Sequence, residues 1–205
     1  MMNKIKLGAV AAAVLMALTT SAFAGTSEGP YVGAGISAYS GDATVSAPGV
    51  SITFGNDKLD VGANVFGGYK WNMGTGSVAA ELSYNSNVGK LANLTGAGQT
   101  IDGKLDNNWA ISVLPGYNFT KDTTGYFRLG YAQVKGTLNL TGTITGSGNH
   151  TFNGTVWGFG VDQAVTPNLA ARLEYQVLDM SSWTSGGTSV KPRATGMNLS
   201  LRYGF

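Results

Sequence analysis

The chain has 205 residues, 43% of them hydrophobic and only 12% charged, with 31 glycines, one histidine and no cysteine. A soluble domain usually carries about 25% charged residues, and the lack of cysteine excludes disulfides and thiolate metal centres. The formal net charge of +2 comes from Lys4 and Lys6; beyond them cations and anions number 11 each, so no basic stripe marks a nucleic-acid partner.

Lys4 and Lys6 precede an apolar run from Leu7 to Leu18 and a small-residue site, Ala22-Phe23-Ala24. This order predicts a cleavable export signal cut between Ala24 and Gly25. The run is far shorter than the ~20 residues that a membrane-spanning helix needs. Residues 1–24 are therefore read as a signal peptide and 25–205 as one domain. No later segment reaches 18 consecutive apolar residues, which excludes membrane helices.

Period-2 alternation, which places successive side chains on opposite faces, marks eight strands. Val32, Ala34, Ile36 and Ala38 alternate with glycine and serine. Val61, Ala63, Val65, Tyr69 and Trp71 oppose Gly62, Asn64, Gly68 and Lys70. Val78, Ala80, Leu82 and Tyr84 face away from Glu81, Ser83 and Asn85. Trp109, Ile111, Val113, Pro115 and Tyr117 oppose Ser112, Gly116 and Asn118. Phe127, Leu129 and Tyr131 alternate with Arg128, Gly130 and Ala132, and Trp157, Phe159 and Val161 with Gly158, Gly160 and Asp162. Leu169 to Val177 sets Arg172, Glu174 and Gln176 on one face. Met197 to Phe205 sets Asn198, Ser200 and Arg202 there.

The connections alternate in length. Those at 72–75, 120–124 and 166–168 are tight, whereas 40–59, 87–107, 136–151 and 181–193 are long and rich in Gly, Ser, Thr and Asn. Short turns on one side and long loops on the other, with an even strand number, are the pattern of an outer membrane β-barrel. The third long loop itself alternates and predicts a hairpin extending above the membrane. The apolar set, with aromatics near strand ends, must meet lipid; the small and ionic set is too polar for the core of a soluble barrel. An Arg turned to lipid at mid-membrane costs ~2–4 kcal/mol, so Arg128, Arg172 and Arg202 fix the facing of their strands. The fold expected is an all-β, eight-stranded, antiparallel up-and-down transmembrane barrel behind a signal peptide.

The segment GVDQAVTPNLAARLEYQ, Gly160 to Gln176, resembles the membrane domain of the OmpA family, as do GPYVGAGIS from Gly29, YFRLGY from Tyr126 and GMNLSLRYGF from Gly196. The resemblance implies an outer membrane barrel without the family's periplasmic peptidoglycan-binding domain, since the sequence stops at Phe205. It also implies that the terminal strand, with Met197, Leu199, Leu201, Tyr203 and Phe205 at alternate positions, is the signal read by the barrel-assembly machinery. One departure is Leu114, where the family pattern has a lumen-facing lysine.

The candidate site is the lumen. Lys70, Glu81, Arg128, Asp162, Arg172, Glu174 and Arg202 point inward, four cations against three anions. Eight strands enclose only enough space for side chains to fill, so the expected role is a structural ion-pair plug; a narrow gated solute path is the alternative. His150 lies in the third loop without a nucleophile motif, and one histidine without cysteine makes no zinc site. Asp57 and Asp60 are too few for calcium. No cofactor or metal is expected. The function expected is non-enzymatic: a stable barrel displaying loops for envelope integrity, adhesion or host contact. A porin-like channel and, more remotely, a lipid-modifying enzyme are the rivals. The expected partners are outer membrane lipid and lipopolysaccharide, the assembly machinery with periplasmic chaperones, and a host or surface ligand at the loops. The protein is expected to be a monomer.

Overall fold

A computed structural model describes residues 28–55, 58–96, 99–142, 146–185 and 187–205; the signal segment, Asp57 and Ile144 lie outside them. Ten strands follow in order: β1 (Gly29–Ala47), β2 (Val50–Gly55), β3 (Asp60–Met73), β4 (Gly76–Gly96), β5 (Gln99–Asn118), β6 (Thr123–Gly142), β7 (Gly146–Ala164), β8 (Leu169–Met180), β9 (Trp183–Ser185) and β10 (Thr188–Gly204). Eight of them, β1, β3 to β8 and β10, pair antiparallel with their sequence neighbours, and β1 pairs with β10 from Tyr31↔Gly204 to Ser46↔Ser189 to close the barrel. The start of β1 and the end of β10 meet at the seam's lower end, where Phe205 N–H donates to Pro30 O at 3.2 Å.

Neighbouring residues on β6 show which face meets lipid. Leu129 is 53% exposed and Arg128 2%. The same division runs around the wall, with Val32, Ile36, Val65, Leu82, Ile111, Phe159 and Leu201 outside. Aromatic pairs border this apolar belt. Tyr69–Trp71 (4.7 Å between ring centres), Tyr117–Phe119 (5.4 Å) and Tyr203–Phe205 (5.3 Å) lie at the periplasmic end, and Trp109–Tyr131 (6.2 Å) at the outer end. Such girdles mark the two membrane interfaces.

The strands run much further outward than the sequence suggests. β4 has 21 residues and β6 has 20, about twice the ~9–11 that cross a bilayer. The segments expected as long loops are mostly strand, correcting that reading. The third was expected as a hairpin, and its arms pair as far as Leu140↔Gly146. The others do likewise: β4 and β5 pair to Gly96↔Gln99, and β1 and β2 to Ala47↔Val50.

Above the outer girdle the polarity of the wall reverses. On β6 the outward series Leu129, Tyr131 continues as Gln133 and Lys135, while the inward series from Arg128 continues as Ala132 and Val134, both fully buried. On β8, inward Arg172, Glu174 and Gln176 give way to inward Leu178 and Met180, with Asp179 outside. Period 2 is kept, but water replaces lipid as the outer solvent, so apolar residues move inside. Thr- and Ser-rich outward positions therefore read as loop in the sequence although they are strand.

The wall also divides at this level. β3 begins only at Asp60 and β8 ends at Met180; in their places β2 runs beside β1, and β9 beside β10. Two four-stranded sheets result, β2–β1–β10–β9 and β4–β5–β6–β7, and among the described residues no backbone pairing joins β2 to β4 or β7 to β9. Their inner faces share one apolar cluster, containing Tyr39, Val88, Leu105, Val134, Val156, Leu178 and Met180. A break in the β4–β5 register after Ser86 brings β4 across toward β1. Gly89, at φ +126°, lies where a Cβ would sit 3.1 Å from Gly41 N, so both its conformation and its space favour glycine.

This boundary makes a prediction. Phe159 and Thr155 share the outer face of β7, four residues apart. Phe159→Arg, in the lipid belt, is expected to cost about 2–4 kcal/mol in urea titrations of vesicle-reconstituted protein, whereas Thr155→Arg costs close to nothing because it faces water. Equal costs at both positions would place the boundary elsewhere.

Candidate functional site

The lumen is filled in layers, each traceable to residues at alternate positions. The ionic layer is assembled from five strands. Arg172 and Glu174 are two apart on β8 and so share a face, and the β7–β8 register places Asp162 directly opposite Arg172. Arg172 Nε and Nη2 donate to Asp162 Oδ1 and Oδ2 at 2.7 and 3.1 Å, and its Nη1 crosses the lumen to Glu81 Oε2 at 2.6 Å. Arg128 Nη2 bridges Glu81 Oε1 at 2.5 Å and Glu174 Oε2 at 2.8 Å. Arg202 Nε lies 3.5 Å from Asp162 Oδ2.

Tyrosines and an amide complete the network. Tyr31 donates to Glu81 Oε2 at 2.9 Å, Tyr126 to Glu174 Oε2, and Gln176 Nε2 to Glu174 Oε1. All six carboxylate oxygens of Glu81, Asp162 and Glu174 thus accept at least one bond, which a buried anion requires. The Arg172 guanidinium also lies over the rings of Phe66 (4.4 Å), Tyr126 (5.0 Å) and Tyr31 (5.8 Å), and Arg202 over Tyr31 (5.0 Å). Gly160 leaves room for the Tyr126 hydroxyl, which a Cβ there would meet.

Six of the seven residues singled out from the sequence, Glu81, Arg128, Asp162, Arg172, Glu174 and Arg202, are brought into this one network. Lys70 is buried nearer the periplasmic end, where its Nζ donates to Thr124 Oγ1 at 3.2 Å. Leu114 is buried inside as well, in a small apolar group with Tyr31, Phe66, Ala79 and Tyr126. The inward aromatics Tyr31, Tyr39, Phe66 and Tyr126 escaped sequence reasoning, which assigned aromatics to the lipid side. Parity could have found three of them: Tyr126 is two residues before Arg128, Tyr39 two after Ser37, and Phe66 two after Asn64.

Above the ion pairs lies a ring of amides and hydroxyls. The register sets Asn64 opposite Asn85, Asn85 opposite Asn108, and Ser37 opposite Asn198. Asn85 Nδ2 donates to Asn108 Oδ1 at 2.9 Å, and the Tyr39 hydroxyl donates to Gln176 Oε1 at 2.8 Å. Immediately outward the apolar cluster closes the lumen, with Leu105, Val134, Val156, Leu178 and Met180 at 0–1% exposure. Along the axis the salt-bridge layer is thus followed, beyond the amide ring, by an apolar plug.

The outer face of the two sheets is polar. Thr44 pairs with Thr53 and Ser46 with Ser51 through hydroxyl bonds of 3.0 Å, and Asp179 faces Lys191 and Arg193 at 3.5 and 3.8 Å. Partial burial raises the pKa of the Asp106 carboxyl, but the Thr137 hydroxyl and Lys104, at 3.0 Å, outweigh it and hold that group below the usual carboxylate range. His150 is exposed at the mouth, its ring edge-on to Phe152 (4.7 Å between ring centres) and tilted against Trp183 (5.6 Å). At the other end, Leu199, Leu201, Tyr203 and Phe205 are all exposed, and Met197 lies on the same face.

The family model of the outer membrane protein beta-barrel domain matches residues 10–205. The chain belongs to this outer membrane β-barrel family. Outer membrane protein A of Klebsiella pneumoniae is 31% identical over 160 residues, 73% of this chain, which spans 42% of that relative's length. The crystal structure of Neisserial surface protein A is similar at 16% identity with a TM-score of 0.50, covering 86% of this chain and 97% of that one. OprG of Pseudomonas aeruginosa is similar at 11% identity with a TM-score of 0.51, covering 90% and 99%. At these identities the two structures speak to fold. The protein is an outer membrane barrel, and its exposed apolar belt is the surface in contact with lipid.

Proposed function

We propose that this barrel is a closed, non-enzymatic scaffold that displays two rigid β-sheets on the cell surface for adhesion or host contact and contributes to envelope integrity. The observation that carries the reading is the double filling of the lumen, by ion pairs and then by an apolar plug. Side chains occupy the space that a solute path would need. A folded platform with a polar exterior rises above the membrane instead, and binding function concentrates on such surface elements held by rigid scaffolds. In the same reading residues 1–24 are removed after export and the assembly machinery, with periplasmic chaperones, recognises the strand ending at Phe205. Lipopolysaccharide surrounds the outer rim, and the barrel works as a monomer.

The channel reading has the same lumen as its test. Purified protein in planar bilayers is expected to show no discrete conductance. Cells deleted for the chain are expected to lose adhesion or envelope integrity. The full barrel should restore it, and one with residues 137–149 replaced by a two-residue turn should not. Discrete single-channel steps, or deletion that changes neither adhesion nor permeability, would overturn the proposal.

A further inference from the structure

β2 ends one of the two outer sheets, and among the described residues no strand pairs with its other edge. Exposed edges are normally blunted by charge, proline or a bulge, because their free N–H and C=O groups recruit other strands. Val50–Gly55 contains neither charge nor proline, and it pairs with β1 without a register shift. The strand is open on both faces: Val50 is 57% and Ile52 50% exposed, and Ser51 and Thr53 are exposed on the opposite face.

The register states what this edge offers. Pro48 and Gly49 form a two-residue turn that Ala47 and Val50 close as a hydrogen-bonded pair, and bonded and non-bonded pairs alternate from there. Val50 and Ile52 therefore bond to β1, whereas Ser51 and Thr53 turn N–H and C=O to the free edge. The Ser46–Ser51 and Thr44–Thr53 hydroxyl contacts fit this assignment, since side chains approach most closely across non-bonded pairs. Such an edge matches itself. Antiparallel pairing of two β2 strands centred on Ile52 sets Ser51 of each copy against Thr53 of the other and carries the hydroxyl rows across the join.

β2 runs back toward its own membrane, so an antiparallel partner runs toward a membrane on the other side. Copies within one membrane share one orientation and cannot pair in this way, so each barrel stays a monomer there. We infer that β2 is a self-recognition edge joining copies of this chain on facing cells through a two-fold axis at Ile52. The inference deepens the adhesion reading and rests on it. Val45, opposite Ile52, is seven residues beyond Ala38, the last apolar outward position of β1. At about 3.3 Å per residue, less the strand tilt, the pairing holds two membranes about 35–45 Å apart. One short pairing is weak, and many copies at each contact supply the avidity.

Two populations of phosphatidylcholine vesicles carrying the full barrel, each with its own lipid dye, test the inference. The unaltered protein should cluster them with a uniform gap of that width in electron cryomicrographs, and should not recruit bare vesicles. Ile52→Lys sets like charges opposite each other across the axis and should cut clustering several-fold, as should Ile52→Glu. Mixing vesicles of these two variants should restore it, which misfolding cannot do. Thr151→Lys and Thr151→Glu, at an exposed position on β7, should leave clustering unchanged. No clustering by the unaltered protein, equal recruitment of bare vesicles, or no restoration on mixing overturns the inference. Any of these results, with cells deleted for the chain still losing adhesion, removes self-pairing and leaves the display reading standing.

Discussion

Arg128→Ala is expected to lower the unfolding free energy of the barrel by about 3–5 kcal/mol, the usual cost of removing one partner from a buried ion pair. Arg128 is the only cation bonded to Glu174 among the described residues, and it shares Glu81 with Arg172. Without it, Glu174 keeps the Tyr126 and Gln176 bonds but no opposing charge, in a lumen from which water is largely excluded. Since a whole domain is typically stable by only ~5–15 kcal/mol, the loss should be plain in urea titrations of vesicle-reconstituted protein followed by tryptophan fluorescence. The heat-induced shift in gel mobility should also move to lower temperature. The control removes both partners together: Arg128→Met with Glu174→Gln leaves no bare anion at position 174, keeps Glu81 paired with Arg172, and should recover much of the loss. A single-variant loss below about 1 kcal/mol would mean that the carboxylates find other compensation, against the role given to the plug.

Leu178→Ala should act at the other end and in another way. Leu178, at the outer end of β8, is fully buried in the apolar cluster that underlies the two outer sheets, and truncating such a leucine typically costs about 2–5 kcal/mol through lost burial and the cavity left behind. Among the described residues no backbone pairing joins the sheets above the membrane across β2–β4 and β7–β9, whereas the part within the lipid is closed all round by strand pairing, β1 to β10 included. The loss is therefore expected to be local. Proteases added to whole cells should cut the outer hairpins of the variant at rates that leave the unaltered protein intact, while the membrane-embedded portion keeps its resistance and its mobility shift. If proteolysis is unchanged, or the whole barrel melts as one unit, the apolar cluster is not a separate packing layer. Local opening on this scale is expected wherever one part of a fold has fewer cooperative ties than the rest.

The two experiments address separate supports of one arrangement. Within the bilayer lipid takes the apolar face and the lumen must accept polar groups, which are stable there only when each finds a partner. Outside the bilayer water takes the polar face and the same strands can build an apolar core. Arg128 and Val134 lie on one face of one strand, six residues apart, and belong to these opposite regimes.

The eight barrel strands, their antiparallel order, the lipid-facing stripe and the inward set of charges were legible in the residues themselves, because period-2 alternation places side chains on faces before any neighbour is known; β2 and β9 were not. The ranking of Arg128, Arg172 and Arg202 as inward followed from the cost of charge in lipid alone. What the residues could not disclose was decided by register and closure. Glu81 and Arg172 are 91 positions apart, and only a closed barrel of this diameter brings them within a hydrogen bond. The outer extensions were hidden for a different reason. Their alternation is intact, but its sign depends on whether lipid or water lies outside, and that solvent is a property of the folded molecule's place in the membrane.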